Sequence, residues 1–437
     1  MLFGLTSSAM AQVTVEALIG SSVDTVDDRY RPVADGIALF QRGSGPAALK
    51  MFRDAKAQRP ELPPGEVLFA HLCFASNNVK PGRDALQAAA VTFKDDPEVW
   101  NMLADLQLRE GHLAEADVLF RKAISVADAY KGNSKRQPQL LASALAGAAL
   151  TNERRGQWGE AEPFLQRWLT LDADNADIPS RLAIVLINTQ RFDEAKKTLE
   201  QLRQLNPKQL PAPIVLGVAY ERLGKSDQAK ESMLEGLAKF PNEFPVQIAV
   251  ASWALTSGDT DLALKCSAAA AELDPESPIP HVLIAQADYR RGDFAQAEAR
   301  FQKIYQLKPG NYDAVNGLAL SMLAQKDESK YPLAMEYAEI LAKNNNDLRT
   351  VQGRQAATLL AWALHRNRRS GDAERLITGV LNSGPISPAT AYFSAEILAS
   401  QGKKEAALDI LNKALAETTA FPYFVQAEAL KKKLEAP

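Results

Sequence analysis

A spacing of thirty-four residues recurs along the middle of this chain of 437 residues. Four prolines keep this spacing, namely Pro207, Pro241, Pro275 and Pro309. Four alanines keep it as well, namely Ala195, Ala229, Ala263 and Ala297. A strict period of this length indicates a solenoid, in which each unit packs only against its neighbours. Such a chain presents an inner binding surface rather than a closed catalytic pocket.

The composition fits a folded repeat protein. With 46 % hydrophobic and 24 % charged residues, the chain is neither collagen-like, nor a disulfide scaffold, nor disordered throughout. The formal net charge is only −3, and the two signs are interleaved, so nucleic acid is not expected as a partner. No later segment has the roughly twenty apolar residues of a membrane span. Cys73 and Cys266 are predicted to be small buried hydrophobes rather than a disulfide.

The N-terminal residues are predicted to be a truncated signal peptide. The segment Met1–Ala11 is largely apolar and ends in Ala9-Met10-Ala11, which fits the small-residue cleavage pattern of exported proteins. It lacks the basic residues that normally begin a signal peptide. We therefore expect a periplasmic or secreted protein, with a frayed N-terminus on a cytoplasmic protein as the alternative.

The most regular unit, Leu210–Glu243, contains two blocks of apolar residues at helical spacing. They are Ile214–Arg222 and Gln228–Lys239, and Leu223-Gly224-Lys225-Ser226 separates them. This pattern predicts a helix, a tight turn and a second helix.

Specific residues of this unit fall at the spacings of a known family pattern: Leu216-Gly217, Tyr220, Gly224, Ala229 and Pro241. The chain therefore resembles the tetratricopeptide repeat family over about Tyr30 to Leu434. Pro213 stands where the pattern has tryptophan, which only Trp100 supplies in its own unit. The resemblance implies an all-α, right-handed α–α superhelix of helix-turn-helix units that binds extended peptides or helices of other proteins.

The alanine of the second helix marks the register of eleven candidate units. The series is Ala48, Ala85, Ala116, Ala161, Ala195, Ala229, Ala263, Ala297, Ala334, Ala373 and Ala407. The units at Ala85 and Ala334 fit the pattern least well. We expect a linker over 12–28, a solenoid over 29–420 and a C-terminal capping helix over 421–437.

Several local features are predicted from the same register. Glycines between the two helices, at Gly43, Gly111, Gly156, Gly224, Gly258, Gly292 and Gly402, are expected to adopt the left-handed conformation that ends a helix. Asp259 and Asp293 follow two of them and can cap the next helix. The interval from Ala116 to Ala161 is forty-five residues, and its surplus at 127–138 predicts an extended helix or a protruding loop.

The sequence contains no recognisable catalytic, metal or cofactor motif. Four histidines lie in separate units, without the spacing of metal ligands: His71, His112, His281 and His365. The glycines of Gly224-Lys225-Ser226 and Gly43-Ser44-Gly45 lie in turns between helices and lack the strand that phosphate-binding loops require. The chain is therefore predicted to be neither an enzyme nor a metal or cofactor binder.

Five arginines form the one candidate binding pattern. Arg109, Arg154, Arg222, Arg290 and Arg366 each lie seven residues before the register alanine of their unit. A row of guanidinium groups along the groove would bind carboxylates of an acidic or C-terminal peptide. The alternative is that each arginine only complements the dipole at the end of its helix.

The function predicted from the sequence is a non-catalytic scaffold that binds peptide or helical segments of partner proteins along the groove. The alternative is an accessory subunit of envelope polysaccharide export or secretion, which binds glycan or self-associates. Exposed aromatic rings on the inner face would favour sugar, whereas arginine and apolar pockets would favour peptide. An uncapped terminal repeat would favour self-association.

Overall fold

The computed structural model describes residues 13–416, 421 and 423–436. The predicted leader Met1–Ala11, with its processing point after Ala11, lies outside these residues. Within the described part, 24 α-helices and two short 3₁₀-helices, Asp28–Tyr30 and Glu328–Lys330, make up the regular structure. The predicted all-α repeat fold is confirmed. The chain divides into two compact units, Met1–Gln209 and Leu210–Pro437.

The first unit contains eleven of the α-helices. They are α1 (Val15–Ile19), α2 (Arg31–Gln41), α3 (Gly45–Gln58), α4 (Gly65–Ala75), α5 (Val79–Thr92), α6 (Pro97–Glu110), α7 (Leu113–Ala129), α8 (Gln137–Arg154), α9 (Trp158–Leu171), α10 (Asp177–Asn188) and α11 (Phe192–Leu205).

The second unit contains the remaining helices. They are α12 (Ala212–Arg222), α13 (Ser226–Lys239), α14 (Phe244–Ser257), α15 (Thr260–Leu273), α16 (Pro278–Arg291), α17 (Phe294–Leu307), α18 (Tyr312–Ala324), α19 (Tyr331–Asn344), α20 (Val351–Arg366), α21 (Ser370–Leu381), α22 (Pro388–Ser400), α23 (Lys404–Leu415) and α24 (Phe424–Glu435).

The helices from α2 to α23 pair into successive hairpins, and each second helix carries one register alanine. All eleven of these alanines are buried, because a larger side chain there would separate the two helices of a hairpin. The two units that fit the sequence pattern least well also form hairpins. Ala85 lies on α5, which packs against α4, and Ala334 lies on α19, which packs against α18.

The turns inside the hairpins follow the glycine prediction. All seven predicted turn glycines have a positive φ, which a side chain would make costly. The prediction for the two aspartates is only half right. Asp259 caps α15 by accepting a hydrogen bond from the Leu262 N–H at 3.0 Å, whereas Asp293 makes no capping bond to α17.

The surplus residues at 127–138 both lengthen helices and form a loop. Helix α7 has 17 residues and α8 has 18, and residues 130–136 connect them. The loop does not protrude. The Asn133 amide donates to the carbonyl oxygens of Ser22 at 2.8 Å and Glu61 at 2.9 Å, so the loop folds back on the segments before α2 and between α3 and α4.

This loop ends in a buried ion-pair network. Arg136 is only 1 % exposed and its guanidinium lies 3.1 Å from Asp96 Oδ2 and in contact with Glu98. The same guanidinium donates to the Tyr130 hydroxyl at 2.8 Å, and His71 bonds the other oxygen of Glu98 at 2.8 Å. Pairing on several sides offsets the cost of burying these charges.

The two ends of the described chain are packed against neighbouring helices. Residues 13–28, predicted as a linker, contain α1, whose Leu18 and Ile19 are buried in the first core. At the other end, α24 packs on α22 and α23 through Ala427 and Leu430, as expected of a capping helix. Both cysteines are free and buried.

Candidate ligand-binding cavity

A cavity of about 350 Å³ lies in the second unit, on the first helices of four successive hairpins. These helices are α16, α18, α20 and α22, and each contacts the next. The volume falls at the low end of the roughly 300–1,000 Å³ of ligand pockets. The cavity is therefore large enough to hold part of a ligand.

A close contact between α17 and α18 forms one side of the cavity. Gly317 of α18 lies over the ring of Phe301, and a Cβ atom at this glycine would come within 2.3 Å of the ring. Phe301 is 1 % exposed and belongs to the core. The glycine thus lets α18 approach α17 closely at the edge of the cavity.

Three side-chain carboxamides on the wall have no internal partner. The side-chain amides of Gln286, Asn316 and Gln355 make no hydrogen bond to any other residue that the structure describes. Two hydroxyls on the wall differ from them, whereas the Tyr312 hydroxyl, like the carboxamides, has no partner among the described residues. Thr358 donates to the Arg354 carbonyl at 2.7 Å, and the Ser387 hydroxyl caps α22 at the Thr390 N–H, 3.1 Å away. The carboxamides are thus available to a ligand.

Two charged side chains line the cavity, one of each sign. The Arg290 guanidinium donates to the Leu255 carbonyl oxygen, and burial lowers the pKa of this guanidinium. Asp313 lies in the first turn of α18 and is exposed. Neither side chain forms an ion pair with another described residue.

Tyr423 joins the first and last of the four cavity helices. Its hydroxyl donates to the Tyr289 hydroxyl of α16 at 3.4 Å, and its ring stacks on Tyr392 of α22 with centroids 5.3 Å apart. The edge of Phe393 is also close, at 4.7 Å between centroids. Burial raises the pKa of Tyr289 to about 12 and that of Tyr423 above its ordinary value, so both stay neutral. These rings thus contact one another around Tyr423.

The five predicted arginines have different surroundings. Arg109 is exposed and pairs with Asp105 of its own helix at 2.7 Å. Arg154 and Arg222 are exposed at the ends of α8 and α12. Arg366 lies over the Tyr331 ring, 4.6 Å from its centroid. Arg290 alone of the five lines the cavity.

The sequence prediction missed the carboxamides and Tyr423. Gln286, Asn316 and Gln355 belong to no family motif, although their place on first helices follows from the alanine register. Tyr423 is separated from Tyr289 by 134 residues, and no local pattern signals a contact of that range.

The described residues contain neither a candidate metal site nor a helix that could cross a membrane. No group of three or more His, Cys, Asp or Glu side chains there has an arrangement that could hold a metal ion. No helix there combines the length and the apolar character that crossing a bilayer requires.

Comparison with known proteins gives both family and structural matches. Sequence models described as tetratricopeptide repeat match residues 97–130, 154–209, 282–349 and 358–423, more than half of the chain. No curated protein matches the chain.

Among solved structures, yeast Tom70 has a TM-score of 0.43 at 16 % identity, covering 93 % of this chain and 95 % of Tom70. The Cut9–Hcn1 hetero-tetramer of the APC/C has a TM-score of 0.42 at 12 % identity, covering 97 % and 100 %. A tetratricopeptide repeat protein from Parabacteroides merdae has a TM-score of 0.38 at 14 % identity, covering 68 % and 99 %.

Proposed function

The chain belongs to the tetratricopeptide repeat family, and we propose that it is a non-catalytic scaffold whose second unit binds an extended peptide segment of a partner protein. The family and the fold support a role in protein interaction. The proposal that the ligand is a peptide and that it occupies the cavity rests on the chemistry of the residues that line the cavity.

The observation that carries the proposal is the set of three unpartnered carboxamides. Each carboxamide has both a donor and an acceptor, as does each peptide unit of a main chain. An extended peptide has these groups free, because no secondary structure uses them. Gln286, Asn316 and Gln355 stand on α16, α18 and α20, so a chain crossing these helices can bond to each in turn.

The arrangement of the aromatic rings favours peptide over glycan. A sugar-binding platform needs an aromatic face that is open to the ligand. Tyr423 and Phe393 are 8 % and 6 % exposed, and their rings contact each other. These two rings thus offer a sugar little open face to stack on.

The arrangement of α24 likewise does not favour self-association through the C-terminal hairpin. Ala427 and Leu430 of α24 cover apolar residues of α22 and α23, including Leu398 and Leu411. An end covered in this way offers less apolar surface to a second copy.

Export remains part of the proposal and rests on the sequence of residues 1–11 alone. Cleavage after Ala11 predicts a native chain that begins at Gln12. Mass analysis of the N-terminus of the natively produced protein measures this directly. A native protein that retains Met1 would remove export from the proposal.

The test is selection of short random peptides, displayed on phage, against the purified full chain. Selected peptides should bind the wild type and should lose binding to Ala389→Trp, because the indole would fill the cavity that Ala389 lines. The matched control is Ala268→Trp, on the exposed side of α15. Peptides that bind Ala389→Trp as well as the wild type, or a chain that selects no peptide and binds a glycan array, would contradict the proposal.

A further inference from the structure

We infer that the peptide bound in this cavity carries charges of both signs, an acidic side chain that pairs with Arg290 and a basic side chain that pairs with Asp313. This inference rests on the proposed function and specifies the chemistry of its ligand. It differs from the purely acidic ligand that a row of arginines predicts.

Arg290 lacks a counterion in the part of the chain that the structure describes, unlike the arginines near it. Its neighbour Arg291 pairs with Asp261, and Arg300 pairs with Asp288 at 2.6 Å. Arg290 has only the Leu255 carbonyl oxygen, and no described carboxylate lies within ion-pair distance of it. A partly buried cation without a counterion is costly, and an incoming carboxylate would relieve that cost.

The carboxylate of Asp313, on the same cavity wall, is likewise unpaired among the described residues. Its position in the first turn of α18 favours a negative charge through the helix dipole. That role needs no cation and leaves the carboxylate oxygens free. Asp313 and Arg290 do not pair with each other, although both line one cavity.

Together the two side chains give the cavity one positive and one negative position. Arg290 stands at the C-terminal end of α16, whereas Asp313 stands at the N-terminal end of α18. A peptide with acidic residues alone would meet Arg290 favourably and would be repelled by Asp313. A peptide with both charges satisfies both positions in only one chain direction, so the pair also sets the orientation of the ligand.

The experiment uses the same displayed library of short random peptides and the full chain. Selection on the wild type should enrich peptides that have one acidic and one basic residue at a constant spacing. A synthetic copy of a selected peptide should bind Arg290→Gln and Asp313→Asn about tenfold more weakly than the wild type. The matched controls are Arg375→Gln and Asp409→Asn, which remove exposed charges outside the cavity.

A double-mutant cycle assigns each charge to its partner. Replacing the acidic residue of the peptide by Gln should weaken binding to the wild type and have little further effect on Arg290→Gln. The basic residue of the peptide should couple in the same way to Asp313→Asn. A double variant that exchanges the two charges, Arg290→Glu with Asp313→Lys, should select peptides in which the acidic and the basic residue have changed places.

The outcomes separate the inference from the proposed function. Peptides that require an open cavity at Ala389 but bind both charge variants as they bind the wild type would overturn only the inference. Enrichment of acidic residues alone, with no loss in Asp313→Asn, would also overturn it. Failure of every peptide to bind the wild type would overturn the proposed function itself. Circular dichroism melting of each variant confirms that lost binding is not unfolding.

Discussion

The Tyr423 hydroxyl lies 3.4 Å from the Tyr289 hydroxyl, although 134 residues separate them along the chain. The residue at the start of α24 thus reaches α16, three hairpins before the last one. The contact closes a circuit around the cavity, because α16, α18, α20 and α22 already touch in sequence and Tyr423 joins α22 back to α16.

The Tyr423 ring is expected to stabilise the second unit more than its hydroxyl does. Tyr423→Ala should cost about 3 kcal/mol of unfolding free energy, because the ring is buried and would leave a hole. Tyr423→Phe should cost less than about 1 kcal/mol, since it removes one long hydrogen bond. Hydrogen exchange should show faster exchange in α16 for the alanine variant only. Unchanged α16 protection in that variant would contradict the circuit.

Loss of Arg136 should destabilise the first unit strongly. Arg136→Met leaves Asp96 and Glu98 buried without their cation, which costs about 3–5 kcal/mol. Denaturant unfolding of the full chain measures the loss. Adding Asp96→Asn and Glu98→Gln to the same variant should recover part of it, because the unpaired charges are then gone. A single variant as stable as the wild type would show that the network contributes little.

The same network predicts a loss of stability in acid. Burial alone would raise the pKa of Glu98, but the His71 hydrogen bond and the Arg136 charge outweigh it and lower this pKa to about 2. A carboxyl whose pKa is lowered on folding stabilises the fold above its ordinary pKa, near 4.5, and loses this contribution as the pH falls towards 2.

The measurement for this prediction compares the wild type with Glu98→Gln across that pH range. The wild type should be more stable near neutral pH by on the order of 3 kcal/mol. The two proteins should approach each other in stability as the pH falls to 2, where Glu98 is about half protonated and increasingly resembles the glutamine. A difference that stays constant from pH 7 to pH 2 would show that Glu98 is not the titrating group.

Gly317 is predicted to be essential for the close packing of α17 and α18. Gly317→Ala should cost about 1–3 kcal/mol, because its methyl group would overlap the Phe301 ring. Gly371→Ala is the matched control, since no atom lies within 4 Å of a Cβ there and alanine favours a helix. Combining Gly317→Ala with Phe301→Leu should cost less than the two separate losses added together. Thermal melting of the four proteins checks both statements.

The repeat architecture was predictable because it depends on local packing rules. A buried alanine and a turn glycine each have one physical cause that recurs in every hairpin, so a spacing in the sequence reveals them. The rule is incomplete even here. Asn77, Gln190 and Arg368 have positive φ values of 58°, 59° and 64° in hairpins that lack the glycine. A search for turn glycines alone misses these three turns.

The candidate site was less predictable, because its residues are distinguished by the absence, within the described part of the chain, of a hydrogen-bond or ion-pair partner for their side chains. Such an absence depends on the surroundings in the fold and leaves no pattern in the sequence. The position of Arg290 relative to Ala297 is the same as that of Arg366 relative to Ala373. One guanidinium lines a cavity without a carboxylate, and the other lies on the Tyr331 ring. The alanine register predicts on which face of its helix an arginine lies. The residue that the arginine contacts depends on the side chains of the neighbouring hairpins. The peptide-binding role of the five arginines stays a prediction.

The loop at 130–136 limits how the first unit could have changed during evolution. Repeat arrays usually gain or lose a hairpin easily, since each hairpin depends only on its immediate neighbours. Asn133 reaches back 111 residues to Ser22 and 72 residues to Glu61. Deleting or duplicating a hairpin between these points would separate the loop from its acceptors. The number of hairpins in the first unit is therefore constrained by the hydrogen bonds of this loop.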